Sequence, residues 1–202
     1  MPRRARSTQR ASYFHVLNRS VRRLALFMQP ADYRAFLSIL SQALERHSVQ
    51  LVAYSVMPNH WHLVMGQTDP LTLSQCLHWV TSTHAIQLNR LRESVGDGPV
   101  YQSRFTSAAI PAVGDLVRVC RYVERNALHA GLVRQAQDWP WGSLAQRLHA
   151  LQCVPLVNAP FLSSRAWAEY VNTKRPDDDA AHSLLMRVNP LDDLTDAPSR
   201  FA

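Results

Sequence analysis

A chain of 202 residues with 47% hydrophobic residues and five Trp is long enough to bury one proper core. No apolar run approaches 18 residues, and no apolar segment follows the basic N-terminus, so neither a membrane-spanning helix nor a secretory signal is expected. The formal net charge is +7, and it is spread unevenly: residues 1–175 hold 20 Lys and Arg against 9 Asp and Glu, while residues 176–202 hold 2 against 6. That balance points to a polyanionic partner, and Arg suits phosphate because it can bind in a bidentate way. Cys76, Cys120 and Cys153 are odd in number and far apart. They match neither a disulfide framework nor a zinc cluster, and a cytoplasmic location is the simplest reading.

In chain order, residues 1–11 read as a flexible basic arm. Tyr13 to Asn18 reads as a strand, and Asp32 as the cap of a helix whose apolar positions are Phe36, Leu37, Leu40, Ala43 and Leu44. Val49 to Met57 is a second strand, Pro58-Asn59 a turn, and His60 to Met65 a third strand. Thr72 is expected to cap a long helix with Leu73, Leu77, Val80, His84, Leu88 and Leu91 on one face. Val100 to Ile110 reads as extended. A helix follows, with Leu116, Val119, Cys120 and Val123 as its apolar stripe and Gly131 placed to end it. Ser143 is expected to cap a helix over 144–151, with another short helix around Trp167. This β-α-β-β-α-β-α order predicts an α+β, ferredoxin-like antiparallel sheet with helices on one face. Residues 12–150 form the main domain in this reading, 151–175 a helical extension, and 176–202 an acidic, disordered tail.

Two segments carry chemistry. In the third strand, His60 and His62 are separated by Trp61. Side chains alternate along a strand, so both imidazoles point one way and Trp61 points into the opposite layer. Two adjacent imidazoles on a rigid element are half of a divalent metal site. In the later helix, Tyr122 and Asn126 stand at i and i+4, neighbours on one flank of the apolar stripe. A tyrosine beside an amide at that edge can reach a site shared with the sheet. For any lone example, surface histidines and an ordinary half-buried tyrosine are the blander readings. A zinc hydrolase is disfavoured because no third His or Cys ligand stands out. His15 can face the site or the core, with the core or the layer behind the ligands preferred; His84, on an apolar stripe, reads as a core residue.

Together these segments resemble the single-tyrosine His-hydrophobic-His (HUH) transposases of insertion sequences, and most closely the REP-associated tyrosine transposases. The resemblance covers about residues 13–145. It runs through His15-Val16-Leu17-Asn18-Arg19, Ala53 to Val64, Val100 to Phe105, the Tyr122 block and Asp138 to Ser143. It implies that His60, His62 and Asn126 bind Mg²⁺ or Mn²⁺. It implies that Tyr122 attacks a DNA phosphodiester, becomes joined to the 5′ phosphate and leaves a free 3′ hydroxyl. Ser20 and Ser103 stand where Gly is usual, and Ala127 and His129 where Pro and Arg are typical. None of these removes a catalytic group.

The expected partner is single-stranded or hairpin DNA, contacted by Arg19, Arg22, Arg23 and Arg104, with a monomer or homodimer as the assembly. Trp61, Trp79, Trp139 and Trp141 are expected mostly in the core rather than stacked on bases. A non-cleaving, hairpin-binding regulator derived from such an enzyme is the alternative. The acidic tail is expected either to compete with DNA for the basic face or to act as a solvated spacer.

Overall fold

The computed structural model describes residues 12–66, 69–96, 98–151 and 153–175. The expected basic arm (1–11) and acidic tail (176–202) lie outside the described residues. Four strands, β1 (Tyr13–Arg19), β2 (Gln50–Met57), β3 (His60–Gly66) and β4 (Thr106–Ile110), form one sheet in the order β2-β3-β1-β4. Each adjacent pair is antiparallel. With α1 (Pro30–His47) and α2 (Pro70–Leu91) in the connections, this is the expected ferredoxin-like α+β plan.

The period-2 pattern of β3 sorts the two faces. Trp61, Leu63 and Met65 enter one buried cluster with Phe36, Leu40, Leu77 and Val80 of α1 and α2. Val64 enters a second cluster on the opposite face. This second face is also covered, which the sequence reading did not foresee. It is roofed by α3 (Val113–His129), α4 (Ser143–Leu148) and α5 (Arg165–Asn172). Val119, Cys120 and Val123 of α3 bury against Val52, Ala53 and Ala108, and Trp167, Ala168 and Val171 of α5 complete the layer.

Several expected caps shift by a few residues. Asp32 is the third residue of α1, not its cap. Its carboxylate accepts from the N–H groups of Met28 and Gln29, while Gln29 is the capping residue. Asp69, not Thr72, caps α2, accepting from the N–H groups of Leu71 and Thr72. Pro70 follows at the first helical position, where its missing N–H costs nothing. Gly142 precedes α4; Ser143 is buried inside it, and the helix ends at Leu148 rather than 151. Leu91 at the end of α2 is exposed rather than part of the apolar face.

Of the expected extended stretch 100–110, only Thr106–Ile110 is a ladder strand. Its first part is a loop bonded to the end of β1, with Val21 N–H on Val100 O and Gln102 N–H on Arg19 O. The end of α3 is as expected. Gly131 is left-handed (φ +70°), Leu132 N–H reaches Ala127 O and Gly131 N–H reaches Leu128 O, a Schellman closure.

Candidate active site

The site lies on the sheet face roofed by α3. In the β1–β3 ladder, Arg19 is opposite His60 and Leu17 opposite His62, so His15, Arg19, His60 and His62 share one face. His62 is fully buried and His60 partly exposed. Their ring centroids are 5.0 Å apart.

From above, α3 brings Asn126, whose amide nitrogen lies 3.3 Å from His62 Nε2. The same amide is hydrogen-bonded to His60. One turn earlier, the partly buried Tyr122 stands edge-on to His62, with centroids 5.8 Å apart at 86°. It also stands edge-on to His15, at 6.2 Å and 82°. The i,i+4 relation read from the sequence therefore converges on the histidine pair.

Each histidine is held from behind. His60 Nδ1 lies 2.7 Å from Asn59 Oδ1. His62 Nδ1 lies 3.0 Å from Nε2 of the buried His15, with the ring centroids 5.2 Å apart and the ring planes inclined by only 22°. Both Nδ1 atoms are engaged, so both Nε2 atoms remain on the Asn126 side. Burial pushes His60 down to about 3, helped by the nearby Arg19 and Arg23 cations and opposed by the Asn126 hydrogen bond. Burial alone pushes His15 down to about 3. Both rings are thus neutral at neutral pH. Asn59 was read only as a turn residue; its place before His60 was the available signal.

The arginines are only partly gathered. Arg19 and Arg23 are close enough to act on His60. Arg22 and Arg23 both have positive φ (54° and 58°) in a tight turn after β1. For residues with a Cβ this is a strained geometry, of the kind that collects at functional sites. Ser20 Oγ donating to Leu24 O and Asn59 Nδ2 donating to Arg23 O hold the turn. Arg22 and Arg104 are exposed. Trp61 is fully buried, and Trp79, Trp139 and Trp141 pack against the same core, so their bulk is structural. His84 is buried with Nδ1 2.6 Å from Tyr101 Oη, as expected of a core histidine.

The sequence reading missed what seats α3. Glu124 is buried between Arg147 (3.0 Å), Ser143 Oγ (2.5 Å) and Trp167 Nε1 (2.6 Å). Arg121 donates to the Tyr170 and Thr173 carbonyls, and Arg125 to those of Val171 and Asn172. Neither Tyr122 nor Asn126 can shift without disturbing these bonds.

A family model described as transposase, IS200-like, matches residues 8–126. The chain belongs to the IS200-like transposase family. A Haemophilus influenzae protein assigned as a REP-associated tyrosine transposase is 26% identical over 128 residues, 59% of this chain and 73% of its own length. Among solved structures, a REP-associated tyrosine transposase bound to a REP hairpin superposes with a TM-score of 0.58 at 21% identity. That match covers 79% of this chain and 91% of the other. The IS200-like match ends on Asn126, so it spans His60, His62, Tyr122 and Asn126 together. Among its described residues this transposase has no helix long and apolar enough to cross a membrane.

Among the described residues, no three His, Cys, Asp or Glu side chains form a metal-binding group. The donors at this transposase's site are instead two imidazoles and an amide. Imidazoles that turn Nε2 toward Asn126, and an amide that can turn its oxygen inward, fit a cation that keeps open positions for substrate. The set suits Mg²⁺ or Mn²⁺, the latter better matched to nitrogen.

Proposed function

We propose that this transposase cleaves and rejoins single-stranded DNA at hairpin or REP-type sequences through a covalent 5′-phosphotyrosine on Tyr122. The observation that carries the reading is the convergence of Asn126 and Tyr122, one turn apart on α3, on His62. The solved relative of the same fold holds a REP hairpin, which supports a hairpin substrate.

His60, His62 and Asn126 would hold the cation, and bound there it would supply Lewis-acid charge stabilisation to the phosphodiester. Tyr122 Oη attacks phosphorus and loses its proton to solvent. The P–O3′ bond breaks, and the leaving 3′ oxygen takes up a proton. The phosphotyrosine ester keeps the phosphodiester bond count, so a 3′ hydroxyl can later attack it and release the phenol. Arg19 and Arg23, beside His60, would bind the flanking phosphates, and Arg22 and Arg104 the DNA further out. The free thiols Cys76, Cys120 and Cys153 fit a cytoplasmic setting.

The test is to incubate the full chain with end-labelled hairpin-flanked single strands and Mn²⁺, then resolve the products under denaturing conditions. A labelled protein adduct lost with His60→Ala or His62→Ala is expected. Tight hairpin binding with no adduct at any Mg²⁺ or Mn²⁺ concentration would instead mark a non-cleaving DNA-binding regulator.

A further inference from the structure

We propose that His15 is the positioning residue of the metal site: its Nε2 accepts the Nδ1–H of His62 and so holds the His62 Nε2 lone pair toward Asn126. This rests on the metal-dependent reading above.

The argument starts from a proton count. A neutral imidazole carries one N–H, on either ring nitrogen. With its nitrogen turned inward, the Asn126 amide has only hydrogens to offer, and it faces His62 Nε2 at 3.3 Å. A hydrogen on Nε2 would set donor against donor there. A lone pair offered to a cation at Nε2 likewise puts the hydrogen on Nδ1, which lies 3.0 Å from His15 Nε2. His15 must then carry its own hydrogen on Nδ1 and present a lone pair. Both rings are buried, so water is poorly placed to substitute for the bond. The two rings meet end to end with planes only 22° apart, so the bond also fixes the plane of the His62 ring.

Metal-binding histidines commonly donate their second ring N–H to a carboxylate or carbonyl, which fixes tautomer and direction. Asn59 Oδ1 does this for His60. For His62 the acceptor is a third imidazole. It orients the ligand without adding a negative charge beneath a site that must attract phosphate.

Two measurements on the full chain test this. In the metal-free wild type, nitrogen-15 NMR of the histidine rings should show His62 protonated on Nδ1. Proton occupancy on Nε2 would overturn the proposal whatever the variants do. Calorimetric titration with Mn²⁺ should then show His15→Phe, which keeps a ring but offers no acceptor, binding about 10- to 100-fold more weakly than wild type. His15→Gln, whose amide oxygen can accept, should recover most of the loss. A purely structural role would leave Mn²⁺ affinity equal in His15→Phe and wild type, and that result overturns the proposal. Binding of hairpin DNA in EDTA should be alike in all three proteins. If wild type and the His60→Ala, His62→Ala double variant bind Mn²⁺ equally, the metal reading itself fails. If that double variant loses Mn²⁺ but His15→Phe does not, only the role of His15 fails.

Discussion

Glu124 and Arg147 form an ion pair at 3.0 Å with both side chains almost wholly withdrawn from water. It ties α3 to α4 two residues from Tyr122 and two from Asn126. Burial raises the Glu124 carboxyl above its usual range, opposed by Arg147 and by hydrogen bonds from Ser143 and Trp167.

Removing one partner of such a pair leaves a buried charge uncompensated, at a cost of about 3–5 kcal/mol. Arg147→Met should lose stability of that order in urea unfolding at pH 7. With the opposing cation gone, burial raises the Glu124 carboxyl further, so its protonated form is favoured in the folded state. The loss should therefore shrink as pH falls. A deficit that grows as pH falls would contradict this account.

Tyr122→Phe keeps the edge-on ring against His62 and removes only the hydroxyl. Adduct formation should vanish, with hairpin binding within a few-fold of wild type and a similar melting temperature. Adduct of undiminished yield would place the nucleophile elsewhere.

His60, His62, Tyr122 and Asn126 meet within one chain, and α3 is fastened to α5 of that chain. A mixture of Tyr122→Phe and His62→Ala proteins should therefore remain as inactive as either alone. Recovered cleavage in the mixture would mean that copies exchange α3 and share sites.

His84 is pushed down from 6.5 to about 4, chiefly by burial and further by the Arg92 cation. The folded chain holds this ring neutral, whereas the unfolded chain protonates it below about pH 6.5. Its contribution to stability is full above that pH and is lost as pH falls toward about 4. His84→Gln retains an acceptor for Tyr101 but cannot titrate there. Its thermal midpoint should fall less steeply than that of wild type between pH 6.5 and 4. His15 and His60 act in the same direction, so part of the slope should remain.

The sheet was legible because β1, β2 and β3 alternate or run apolar between clear turns, and the same period placed His60 and His62 on one face. Tyr122 and Asn126 were legible because a helix makes i and i+4 neighbours. The caps were not, since Asp32 and Asp69 each sit within three residues of other plausible capping residues, and only backbone geometry separates them. The second helical layer was hidden for another reason. Val52, Ala53 and Val64 look like the ordinary interior of strands buried on one side, and nothing local shows that they are covered by residues about sixty to more than a hundred positions later. Glu124 illustrates the same limit: in sequence it is one more charge on an amphipathic helix, and its partners Arg147 and Trp167 are 23 and 43 residues away.

The fastening of α3 also sets how small a working piece of this chain can be. The family match stops at residue 126, but a fragment cut near there would leave Glu124 without its cation and Arg121 and Arg125 without the α5 carbonyls. Those groups would seek water, and the helix carrying Tyr122 would tilt or fray to let them reach it. The shortest fragment that keeps Tyr122 seated therefore runs to Thr173. A boundary drawn by sequence likeness and one drawn by mechanical support differ here by nearly fifty residues.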